Sequence, residues 1–155
     1  MLQCFLLMFA AIGDEVAKSL TAGNALRIMH QVMHLAAQHH QHEPVSICVM
    51  GADKTTICSV RMDGACDSTV AHAEGKARTA LVFRRDTREF ARGDWSAEDL
   101  ANARSAMPGF VSWGGGVLLH LKGAIVGAVA VSGLTEEADH QLAVGGVREW
   151  DTECS

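Results

Sequence analysis

The chain has 155 residues, 48% hydrophobic and 20% charged, which suits one domain with a full core and excludes a chain held disordered by charge. Thirteen Lys and Arg stand against 18 Asp and Glu, a net charge of −5, so no basic footprint exists for nucleic acid or an anionic membrane surface. Two prolines exclude a Pro-rich linker, and five cysteines without a C-x-x-C pair suit reduced thiols in a cytoplasmic protein better than a disulfide framework.

Residues 1–18 hold an apolar run from Cys4 to Ile12. A bilayer span needs about 20 apolar residues, and a signal peptide wants Lys or Arg before its run. Neither condition is met, so a short helix packed on the core or on another subunit is expected, and no membrane span. A single domain is expected over 19–150, with a tail at 151–155. Thr21 can cap a first helix, where Ala25, Met29, Val32, Met33 and Ala36 recur at helical spacing. His39, His40 and His42 form its polar end, before Pro44. Val45–Met50 and Thr55–Arg61 read as strands of one hairpin. Ser68 can cap a second helix running to about Phe90, with Val70, Ala73, Ala77, Ala80 and Leu81 inside; Gly93 breaks it. Ser96 caps a short helix with Glu98 and Asp99 in its first turn, stopped by Pro108 and Gly109. Phe110 to Trp113 is a short extended stretch before Gly114, Gly115 and Gly116. Val117–Leu121 and Ala124–Ser132 read as a second hairpin around Lys122 and Gly123. Thr135 caps a last helix with Leu142, Ala143, Val147 and Trp150. The order is α-β-β-α-α-β-β-α, and two hairpins among helices predict an α+β fold with an antiparallel sheet.

The candidate site residues lie on these elements. His30 and His34 are four apart and share one helix face, which suits a metal or a haem iron, although a solvated helix flank is the more ordinary explanation of the pair. Ser68, His72, Lys76 and Thr79 share a face of the second helix. That spacing describes an ordinary solvated face, yet a hydroxyl, an imidazole and an ammonium in line can receive an anion. His140 follows Asp139 near the start of the last helix, and His120 lies in a strand. The three glycines match no phosphate loop; they let a backbone approach a ligand or a neighbouring chain.

Five segments in order resemble one family. Arg61-Met62-Asp63-Gly64-Ala65 is similar to its R-x-D-G-A turn, and Ala73–Ala80 (AEGKARTA) to its A-x-x-K-A-x-T-A helix. Gly114–Gly116 falls where it has a Gly-Gly loop, Gly127–Gly133 (GAVAVSG) resembles its G-A-I-G-V-S-G strand, and Asp139 with Ala143 its D-x-x-x-A helix. The family is the GlcG/HbpS-like one, also called haem-degrading or haem-binding, which includes the C-terminal domain of PduO-type cobalamin adenosyltransferases. The resemblance spans roughly Ser19 to Val147. It implies a profilin-like antiparallel sheet of about five strands flanked by helices, and assembly into homo-oligomers.

Two ligand-handling functions from different classes stay open, beside a structural oligomer with no catalytic site. As the resemblance implies, the chain binds haem or another metalloporphyrin, with His30 or His34 on the iron and Arg61, Lys76 or Arg78 paired with propionates. The absence of tyrosine excludes a tyrosinate ligand. Alternatively it is a small lyase or isomerase acting on a small organic acid without haem. Lys76 or Arg78 then holds the carboxylate, His72 or His140 is the general acid or base, Asp139 orients a neighbour, and the Gly115 and Gly116 amides stabilise an oxyanion.

Overall fold

A computed structural model describes residues 20–38, 43–93 and 95–153. The expected N-terminal segment 1–18, the His39, His40 and His42 cluster, Cys4 and Cys154 lie outside the described residues.

Alternation along the strands builds two cores at once. Strands β1 (Ser46–Gly51), β2 (Thr56–Arg61), β3 (Gly116–Leu121) and β4 (Ala124–Ser132) form one antiparallel sheet in the order β2-β1-β4-β3. Both expected hairpins are present. They join through β1 and β4, from Ser46 opposite Ser132 to Gly51 opposite Gly127. β1 is therefore central and buried along its whole length. On one face Ile47, Val49, Leu119, Val129 and Val131 meet α1 (Ala22–Gln38), with Ile28 and Val32, and the last helix, with Leu142, Ala143 and Trp150. On the other, Cys48, Met50, Leu118, Ala128 and Ala130 meet Ala73, Ala77, Ala80 and Leu81 of α2 (Ser68–Phe83). Each Val, Ile or Leu so buried contributes about 1.5–3 kcal/mol. The alanines on both partners let α2 lie close to the sheet. The described residues give four strands where the resemblance implied about five, and Phe110 to Trp113 forms no strand.

The helices start largely as expected. Thr21 Oγ1 accepts from the Asn24 amide at 3.2 Å. Ser96 and Asp99 form a reciprocal capping box at the start of α4 (Ala97–Ala106). Thr135 Oγ1 accepts from the Ala138 amide at 3.3 Å and opens α5 (Glu136–Glu153), which continues into the segment expected as a tail.

Helix α2 departs from expectation at both ends. Asp67, not Ser68, precedes it, and no side chain caps it. It stops at Phe83, where Arg84 turns left-handed (φ 55°) and its amide bonds the Ala80 carbonyl. The cause is sheet attachment. Asp86 Oδ1 accepts from the Leu118 amide at 2.9 Å, and Thr87 exchanges backbone and hydroxyl bonds with Gly116 at 2.9 Å. The chain resumes as α3 (Arg88–Arg92). The expected order stands with this one short helix added. Phe83, Phe90, Trp95 and Phe110 pack edge to face here, with ring centroids 5.0–5.5 Å apart.

Candidate functional site

Lys76 lies in the middle of α2 and is only 2% exposed. The face expected to be solvated at this residue and at Thr79 is buried. Thr79 Oγ1 accepts from the Val111 amide at 3.0 Å. Lys76 Nζ donates to the Val131 carbonyl at 2.9 Å and to Asp139 Oδ2 at 2.7 Å. Asp139 stands in the first turn of α5, and its other oxygen accepts from the Leu134 amide at 3.0 Å. Burial pushes the Asp139 carboxyl above the ordinary range; the Lys76 ammonium and the Leu134 and Gly133 amides oppose that push.

The glycine corner makes the pair possible. Gly115 has φ +124°, and a Cβ there would lie 2.6 Å from the Val131 carbonyl and 2.9 Å from Lys76 Nζ. A Cβ on Gly116 would lie 2.6 Å from the Lys76 carbonyl. The Gly116 amide already donates to Thr87 Oγ1, so it is not free for an oxyanion. These glycines back the ion pair from behind.

In front of the pair lies an open cleft of about 430 Å³. Lys76 and Asp139 line it with Thr69, His72, Trp113, Glu136 and the Ser132–Leu134 corner. The half-buried His72 ring meets the Trp113 indole nearly at right angles, 77° between planes and 5.6 Å between centroids. Trp113 is 53% exposed. The same two rings also line a second cleft of about 330 Å³, which runs along Gly109–Ser112 to Arg104.

The structure thus brings His72, Lys76 and Asp139 to one cleft. The other sequence candidates stand apart. His140 lines neither cleft; its Nδ1 is buried without a hydrogen-bond partner. Burial lowers its pKa, against the pull of Asp86. Arg61 is exposed and donates to the Ala65 carbonyl at 2.8 Å. Arg78 is exposed and lines neither cleft. His30 and His34 are exposed on α1, across the sheet from α2, and His34 Nε2 lies 2.9 Å from Gln38 Nε2. Among the described residues no cluster of three His, Cys, Asp or Glu stands ready for a metal. Trp113, Thr69, Ser132, Glu136 and Arg104 were not singled out. Trp113 stands between Ser112 and three glycines, and its apolar neighbours Phe110, Val111 and Val117 give it no distinct pattern.

A family model described as haem degrading protein HbpS-like matches residues 20–148. A search of curated proteins gave no match. Among solved structures, a double mutant of HbpS from Streptomyces reticuli is 26% identical, with a TM-score of 0.74 over 84% of this chain and 86% of that one. The Klebsiella pneumoniae protein ORFY is 24% identical, with a TM-score of 0.74 over 84% of this chain and 90% of that one. PduOC, solved as a haem complex, is 24% identical, with a TM-score of 0.74 over 84% of this chain and 94% of that one. At these last two identities the likeness is one of fold. No helix among the described residues is long and apolar enough to cross a membrane.

Proposed function

The chain belongs to the HbpS-like, haem-degrading family, and from that membership we propose that it binds haem at the two clefts that meet at His72 and Trp113. One observation carries the reading: His72 lines both clefts, beside an exposed indole. The donor set suits the group. A neutral imidazole is an iron ligand, and an exposed indole offers an apolar face to a planar ring. The family description and the haem complex of PduOC support the choice of ligand. By contrast His30 and His34, the first-helix candidates, line neither of these clefts. Haem, when bound, supplies an iron centre for redox chemistry. The chain's own part is to hold and orient it. His72 would hold the iron, the Trp113 indole would pack against the ring, and the Lys76–Asp139 pair keeps the floor rigid.

Haemin titration followed in the Soret region tests this. A shift saturating at one equivalent, lost in His72→Ala and retained in His30→Ala and His34→Ala, is expected. Loss in His30→Ala or His34→Ala instead would move the iron to α1. No saturable shift would remove the haem reading.

The first cleft also favours a second reading, because its size suits a small molecule and its lining places His72 near the Thr69 and Ser132 hydroxyls. The protein would then be a lyase or isomerase for a small organic acid, with His72 as general acid or base. That reading requires turnover of such an acid after chelation of metals, abolished in His72→Ala.

A further inference from the structure

We infer that the second cleft is a carboxylate subsite held by Arg104, so that the ligand carries an anionic arm reaching past Trp113. The inference rests on the reading of these two clefts as the ligand site. Arg104 is in the last turn of α4 and is the only Arg, Lys, Asp or Glu lining that cleft. Among the described residues no carboxylate pairs with it, whereas Lys76 in the first cleft is neutralised by Asp139. The first cleft also carries Glu136. Counting formal charges, an anion entering the first cleft meets one cation and two carboxylates; in the second it meets one cation alone. In a chain of net charge −5, this guanidinium, with no paired carboxylate among the described residues, is the cation of the two clefts left to receive an anion. The rest of the lining suits the arm. Ser112 supplies a hydroxyl, Phe110 and Val111 apolar surface, and Gly109 leaves its neighbourhood open, with no atom within 4 Å of where a Cβ would stand. The carboxylate can come from a haem propionate or from a small aromatic acid.

Two probes on the full chain test the subsite. In amide NMR, benzoate is expected to shift the signals of residues 109–113 and of the Arg104 side chain, and uncharged benzamide is not. Arg104→Gln is expected to weaken benzoate roughly tenfold, the loss of one charge-assisted bond, and Arg104→Lys to restore part of it. In the second arm, haemin is expected to bind more tightly than its propionate dimethyl ester, and Arg104→Gln to erase that difference. The exposed position of Arg104 makes both variants tolerable to the fold, checked by their unfolding midpoints. If Arg104→Gln changes the binding of neither benzoate nor haemin, or if neither probe binds, the subsite is wrong. If haemin still binds through His72 in that case, the haem reading survives it. If benzoate depends on Arg104 and haemin does not bind, the subsite stands and the haem reading falls.

Discussion

Lys76 is the residue on which the two functional readings are easiest to confuse with stability. It was expected to hold a ligand's carboxylate, and it holds Asp139. Removing one partner of a buried pair leaves the other charge stranded. Lys76→Met is therefore expected to cost about 3–5 kcal/mol in urea unfolding. The double variant with Asp139→Asn keeps an acceptor for the Leu134 amide and should regain most of that loss; a double variant as unstable as the single would show that the charge is not the cause. His140 makes a second, separate prediction. Burial lowers its folded pKa below the ordinary value of 6.5, so the unfolded chain takes up the proton first. Stability is complete above pH 6.5 and falls as pH drops below it toward the folded pKa. His140→Gln should flatten that fall, measured as urea midpoints at pH 7.5 and 5.5; identical slopes would clear His140 of the effect. That His72 and Lys76 share a cleft was legible in the sequence, because spacing along a helix sets which side chains share a face; Asp139, on another helix, was pointed to by the family resemblance and not by spacing. His140 lines neither cleft, since consecutive helical residues point about 100° apart and Asp139 is the one turned toward Lys76. That Arg104 and Trp113 line one cleft was not legible, because the course of residues 109–112 between them decides it and no local spacing foretells that course.

At the scale of elements, the strands were readable because β-branched runs alternate between two buried faces, and both hairpins fell where expected. The end of α2 was not. Nothing in the local pattern between Phe83 and Phe90 says that Asp86 and Thr87 are bonded to β3, 29 to 32 residues away. Gly75 shows how tightly α2 is held on its other side. A Cβ there would stand 2.6 Å from the Gly109 carbonyl and 2.7 Å from Val111 Cγ2. Gly75→Ala should gain about 1 kcal/mol of helix propensity and lose about 1–3 kcal/mol to overpacking. A lowered urea midpoint is expected, together with shifted amide signals at residues 109–113, the wall of the second cleft. A stabilised variant with unmoved signals would show that the loop gives way freely.

Across the whole molecule, the pairing of β1 with β4 was invisible to periodicity, because any two apolar strands satisfy the same alternation. Yet that pairing decides where the clefts lie, by bringing the end of β4 and the start of α5 beside α2. The distance along the chain has a consequence for time. Each hairpin closes over a short turn, whereas the Lys76–Asp139 bond closes over 63 residues. Long closures cost more chain entropy and form later in folding. The first cleft therefore comes into being only in molecules whose two halves have already joined. A partly folded chain has both hairpin sequences and no floor for a ligand, and fragments separated between α4 and β3 have one hairpin each and no floor either. Retention of a ligand there would serve as a roll-call of completed molecules.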